Sequence, residues 1–523
     1  MNLSRKLVAG GLAAALAVSL AACSSSEPSD SSAPDAGTPV AGGTLTVGDT
    51  AQPLSGFDPV LAQAFNAKRF ASQFYEGLLS LSADGTELLP GLATEWEQVS
   101  DTEYTFTLRE GVTFHDGSPM TADDVVFSLQ RVIDPATSSP YANLYSIDTV
   151  STNDAGQVVV TLTQPQASLL RLLAQPWSSG IVSEAWFTSK TPAEIKTQEN
   201  GTGAFALDSY QEGALISTVR YDGYWDEGLP YLDQVDYRLI PDESTLVQAI
   251  TSGSVDMAQV QLPNNLKTLE NAGIEVGTST ATGTQWMGVN TLSGPMSDIN
   301  VRRAFSLALD REKIINVVTL GTGGYGGLIP SGDPLGCVMD ADSPYYEHSV
   351  KKAKALLDDA GLSDVTVSFK VGSNAATAIK AAQLMKEQVA EAGITLDIQV
   401  VPFETLVPTL LSEDWGADMI GLTSALNADP SQYAALWFAE GSPTTKVDDQ
   451  ELWDLMDTAQ SENGTAEERK ADYQEICDYV ADNAYMFNGY AAPTTYDVWG
   501  SKLKGFTADV TNTRLFLKEA WLG

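Results

Sequence analysis

The chain has 523 residues, 43% hydrophobic and 19% charged, with 68 Asp and Glu against 29 Lys and Arg and a formal net charge of -39. This is globular composition in a chain too long for a single core, so two or three domains are expected. The negative charge repels phosphate backbones and anionic lipid surfaces, which sets nucleic-acid binding aside; otherwise it reads as a solvated acidic surface.

At the N-terminus, Arg5 and Lys6 precede an apolar run over 7–20 (LVAGGLAAALAVSL), too short to span a bilayer, so 1–22 reads as a secretory signal peptide. The run ends in Leu20-Ala21-Ala22-Cys23. This resembles the lipobox of bacterial lipoproteins, in which small residues precede a cysteine that becomes the lipidated first residue; the competing reading is an ordinary Ala-x-Ala type cleavage site. A lipid with two or more acyl chains would anchor the protein stably, since each buried methylene contributes about 0.8 kcal/mol and one chain alone is marginal. Residues 23–42 are then the lipidated cysteine and a Ser, Pro, Asp and Gly tether with almost no large apolar side chain to repay ordering. Such export leaves Cys337 and Cys477 where a disulfide can persist. Cys477 also lies in a helical pattern with Tyr473, Ile476 and Val480, where a buried free thiol is common, so both states stay open.

Along the folded part, residues 103–109 alternate, with Tyr104, Phe106 and Leu108 on one face, which predicts a half-buried strand ending at the Glu110-Gly111 turn and entering a hairpin. Thr121-Ala122-Asp123-Asp124 reads as a capping box that starts a helix carrying Val125, Val126, Leu129 and Val132. Residues 301–320 have apolar side chains at helical spacing up to Gly321. Strands are expected at 365–371, 394–401 and 417–422, with helices at 376–391 and 403–412 between them. Repeated β-α-β units make right-handed crossovers and mostly parallel sheets, with ligands beyond the strands' carboxyl ends, here Gly372-Ser373-Asn374 and Thr423-Ser424.

Tyr104 to Val126 (YTFTLREGVTFHDGSPMTADDVV) resembles, almost residue for residue, the signature of the extracellular solute-binding proteins of family 5, which serve dipeptide, oligopeptide and nickel ABC importers. The neighbouring segments fall in the family's order: GFDP at 56–59, YEGLL at 75–79, LLPGLATEWE at 88–97, GTGAF at 201–205, YDGYW at 221–225, VNTLSGPMSDINVRRAFSLALDREKII at 289–315 and KAKALLDDAG at 352–361. The resemblance covers roughly residues 44–523. It implies an α/β, two-lobed periplasmic-binding-protein-like fold of type II, in the large cluster with an extra subdomain on the N-terminal lobe. Its limits would be 43–284 for the N-terminal lobe with a subdomain at about 75–176, 285–489 for the C-terminal lobe, and 490–523 for a return to the first. It also implies a monomeric receptor that encloses a small solute between its lobes and presents it to permease subunits.

Two charged anchors of peptide-binding relatives do not carry over. The Asp that pairs with a peptide ammonium falls at about Ala425 or Leu426 within GLTSALNADPSQY, and the Arg for a peptide carboxylate falls near Gly372. Asp429 is a possible substitute, but the Asp429-Pro430 step favours a turn. An unpaired buried charge is costly, so longer peptides held by backbone, or a neutral polyhydroxylated solute stacked on aromatics, fit better than a zwitterionic dipeptide. Residues expected at the ligand are Asn66, Trp286, Asn374, Thr423, Ser424, Asn427, Asp429, Tyr433 and Trp437.

Catalytic and cofactor patterns lead nowhere. His115 and His348 lack companions at metal spacing, and no metal or cofactor is expected. Gly321 to Gly326 satisfies G-x-G-x-x-G but follows a helix. Ser349-Val350-Lys351-Lys352 matches S-x-x-K without the S-D-N and K-T-G that accompany it in penicillin-interacting enzymes. A binding protein is therefore expected ahead of an exported peptide-processing enzyme or a non-transporting peptide chaperone.

Overall fold

The computed structural model describes residues 38–523 except 52, 54, 55, 63, 64, 261, 262, 278–282, 330–332, 334, 338, 340, 374, 426–428, 443, 462–465, 488, 489, 493–495 and 510–512. The expected signal peptide, Cys23, most of the tether, Asn374 and Asn427 lie outside the described residues. Among those described, no helix is long and apolar enough to cross a membrane.

Two sheets organise two lobes. The first has seven strands in the order Glu275–Val276, Tyr496–Trp499, Met257–Val260, Thr44–Asp49, Gln234–Leu239, Leu215–Arg220, Phe205–Gln211. Thr44–Asp49 runs parallel to both of its neighbours. The second has five, Ile394–Val401, Val365–Gly372, Met419–Ala425, Gly283–Val289, Tyr490–Ala492. Its first three are mutually parallel and Gly283–Val289 is antiparallel to both neighbours. The chain passes from the first sheet to the second between residues 276 and 283 and returns between 492 and 496. A separate four-stranded antiparallel sheet, Ala93–Ser100, Glu103–Leu108, Val158–Leu162, Ile147–Thr152, shares one apolar core with the first: Tyr104, Phe106 and Val160 belong with Leu45 and Val47.

The Tyr104 to Val126 segment is scaffold throughout. Its strand is Glu103–Leu108, and Phe114 is fully buried. His115 Nδ1 meets the Glu199 carboxylate at 2.7 Å and its Nε2 meets the Gly203 carbonyl at 3.0 Å. Both ring nitrogens thus face acceptors, and although burial opposes charge, Glu199 outweighs it and raises the histidine's pKa. Thr121 and Asp124 form the capping box of the helix Ala122–Ile133, which buries Val125, Leu129 and Val132. The Gly201 of GTGAF is required by close approach, because a Cβ there would collide with the Phe74 carbonyl.

The expected helix over 301–320 is two helices, Ile299–Ala308 and Arg311–Thr319. Asp310 accepts from the Lys313 N–H and caps the second, a local competition that apolar spacing does not register. Ser349 of the S-x-x-K match is likewise a helix cap, accepting from the Lys352 N–H. Cys337 and Cys477 are bridged, with 6.3 Å between their Cα atoms.

Candidate functional site

The second sheet presents its parallel strand ends at Gly372 and Ala425, with the helix Pro430–Phe438 following. Thr423 and Ser424 lie on Met419–Ala425, opposite Gln285 and Thr284, and Trp286 pairs with Leu422 in the same ladder. Asp429 precedes the helix, and Tyr433 and Trp437 share one face of it. Asn66 stands apart from these expected site residues, in the helix Phe65–Phe74 of the first lobe.

Asp429, Tyr433 and Trp437 are turned inward. Asp429 is 0% exposed and accepts from the Ser431 N–H at 3.0 Å, capping its helix as an Asp-Pro turn would. The Arg469 guanidinium lies 2.9 Å from each of its oxygens. Burial pushes this carboxyl's pKa upward, but Arg469 and Arg171 outweigh it and hold it below the usual range. The expectation that Asp429 serves a ligand's ammonium therefore meets a carboxylate already engaged by two guanidiniums. Tyr433 and Trp437 pack in the same apolar cluster as Leu406, Trp415 and the two bridged cysteines.

The second guanidinium joins the lobes. Arg171, in the turn Leu169–Leu172 of the first lobe, places Nε 3.6 Å from Asp429 Oδ2, and its Nη1 donates to the Gly85 carbonyl at 2.9 Å. Nearby, the Ala167 N–H donates to the Gln460 carbonyl of the second lobe at 2.9 Å. Asp333 completes the charge group; burial pushes its pKa up to about 6, partly offset by Arg171 and the Leu335 N–H. Sequence reading passed over Arg171, Arg469 and Asp333, although a lone arginine in the run LLRLL was a signal that a buried charge needed a partner.

On the first lobe, Asn66 is buried; its Oδ1 accepts from the Ala67 N–H at 2.9 Å, while its Nδ2 has no partner among the described residues. A further cavity lies within this lobe, lined by Glu76, Trp225, Arg514 and Lys518 among others. Its carboxylate, Glu76, already accepts from Tyr224, Trp225 and Thr202.

Two α/β lobes joined by paired chain crossings and touching through a shared carboxylate make the frame of a two-lobed binding protein. A family model described as bacterial extracellular solute-binding proteins, family 5 Middle, matches residues 87–444, and the chain belongs to that family, the solute-binding proteins of ABC importers. The oligopeptide-binding protein AppA of Bacillus subtilis (strain 168) is 27% identical over 548 residues, covering 97% of each chain. The glutathione-binding protein GsiB of Escherichia coli (strain K12) is 30% identical over 348 residues, 65% of this chain and 66% of that one. Among solved structures, AgaA in complex with agropinic acid from A. tumefaciens R10 aligns with a TM-score of 0.75 at 27% identity, covering 92% of this chain and 99% of that one.

Replacing Arg171 by Met removes the ionic contact between lobes while Asp429 keeps Arg469. The ligand-free protein is expected to shift toward an open form by roughly tenfold, about 1.4 kcal/mol, seen as a larger radius of gyration in small-angle scattering. A scattering curve identical to that of the unaltered protein overturns this.

Asp333 yields a pH signature. Its folded pKa of about 6 exceeds the ordinary 3.8, so between these values the folded state binds the proton first and stability falls as pH rises. Above pH 6 the full deficit, roughly 2–3 kcal/mol, is present. Asp333→Asn should therefore melt above the parent at pH 7.5, with the gap closing toward pH 4; a pH-independent gap refutes the assignment.

Proposed function

We propose that this protein is an exported lipoprotein, held at the outer face of the cytoplasmic membrane by lipid on Cys23, that captures a solute between its lobes and delivers it to an ABC import permease. An oligopeptide is the favoured solute. The observation that carries the reading is the Arg171–Asp429 contact: a two-lobed frame whose halves meet through a buried charge has a defined closed form for a solute to stabilise. Closure then requires only that the solute bind that form better than the open one. The peptide class is supported by the alignment with the oligopeptide-binding protein AppA over nearly the whole of both chains.

On this reading 43–284, with its subdomain at about 75–176, and 490–523 make the first lobe, and 285–489 make the second. Asn66 of the first lobe and Trp286, Asn374, Thr423, Ser424 and Asn427 of the second bind the solute, while Asp429, Tyr433 and Trp437 are buried in the frame. The lipid anchor is supported by the position of Cys23 at the end of the apolar run.

A thermal-shift screen of di- to nonapeptides, oligosaccharides and metal chelates tests the solute class, because a ligand of the native state raises the melting temperature by mass action. Longer peptides are expected to raise it; a response confined to sugars or chelates rejects the peptide assignment. For the anchor, Cys23→Ala should move the protein from the membrane fraction to the medium and abolish labelling by an alkyne fatty acid. Retention of either property defeats the lipoprotein reading.

A further inference from the structure

Helix Phe65–Phe74 is buried on every side: Ala67, Lys68, Arg69, Phe70, Ala71, Gln73 and Phe74 are all interior. Two adjacent cations in such a helix both need neutralisation. Arg69 has it, with Nη2 2.9 Å from the Asp497 carboxylate. Lys68 does not. It is 7% exposed, and among the described residues no carboxylate lies within ion-pair distance of its ammonium.

What surrounds Lys68 is aromatic. Its Nζ lies 4.0 Å from the centroid of the Trp177 ring and 5.6 Å from that of Tyr141, and the two rings are 5.0 Å apart. Contacts of this kind recover less free energy than the burial of an unpaired ion costs, so the rings only partly offset burial. Consistent with that, burial alone pushes the lysine's pKa down to about 8. The neighbourhood is also rich in unused donors. Trp177 Nε1, in a residue 1% exposed, and Asn66 Nδ2, two residues from Lys68, have no hydrogen-bond partner among the described residues. In a chain with 68 acidic and 29 basic side chains, an ammonium left without a carboxylate is conspicuous.

Along the chain, the ring that covers Lys68 lies close to the residues that meet the second lobe. Trp177 follows the segment whose Ala167 donates to Gln460 and whose Arg171 meets Asp429, both in the second lobe. Asn66 and Lys68 occupy the first turn of a ten-residue helix, where backbone dipoles add positive potential.

We propose that Lys68 is the counter-charge for an anionic group of the solute, a carboxylate by class, with the neighbouring Trp177 Nε1 as a hydrogen-bond donor. This rests on the solute-binding reading and narrows it to ligands that carry an acid. The carboxylate completes an ion pair that the fold leaves half built, and the aromatic rings shield that pair from water.

The test uses matched pairs: tri- to pentapeptides with free or amidated C-termini, and sugar acids with their neutral parents, titrated by calorimetry into the unaltered protein, Lys68→Met and Lys68→Arg. The expected result is that a free acid binds the unaltered protein at least tenfold tighter than its neutral partner, that Lys68→Met loses this preference, and that Lys68→Arg keeps most of it. Without ligand, Lys68→Met should melt no lower than the parent, since it removes an unpaired buried charge; this shows that lost binding is not lost folding. Equal binding of acid and neutral partners, or an acid preference that survives in Lys68→Met, overturns the role of Lys68 and leaves the solute-binding reading standing. An unaltered protein that binds no member of the panel overturns both.

Discussion

A carboxylate with no access to water, Asp429, is shared between an arginine of each lobe, and much of the second lobe is arranged to make that possible. Buried and alone it would be prohibitively unfavourable; with Arg469 beside it and the Ser431 N–H on one oxygen, it stays ionised. Tyr473, one helical turn beyond Arg469, accepts from that guanidinium at 3.3 Å. The arrangement starts the helix Pro430–Phe438, orients the helix that carries Arg469, and offers Arg171 a docking point whenever the lobes meet. Local capping, packing within a lobe and closure between lobes therefore depend on one ionised group.

The first lobe handles charge differently. Arg69 is paired with Asp497, which lies on the strand that returns from the second lobe, so this bond fastens the chain's end to its beginning. Arg514 extends the same tie, donating to the Leu81 carbonyl and pairing with Asp509. Against these complete pairs, Lys68 over its two rings is the exception, and the contrast within one helix is what gives it meaning.

What the sequence made legible was local. The capping box at Thr121 and Asp124, the strand with Tyr104 and Phe106 inward, and the helix Ala376–Glu391 all follow from spacing within a few residues. The single helix expected over 301–320 failed for an equally local reason, the cap at Asp310. The bridge between Cys337 and Cys477, the sharing of Asp429 and the isolation of Lys68 were not legible, because each depends on side chains brought together from distant parts of the chain. The signature segment illustrates the difference: its residues identified the family, and in the fold they build a strand, a turn, a cap and a pinned histidine.

The bridge between Cys337 and Cys477 closes a covalent ring with a sequence separation of 140 residues inside the second lobe. For a member of a family of extracellular binding proteins, that ring changes what a single cut can do. A nick at an exposed loop such as Gly441 divides the backbone but leaves both pieces in one molecule, with Asp429 on one piece and its partner Arg469 on the other still held together by the bridge. Backbone cleavage there is damage the lobe can survive, and its loss requires reduction as well.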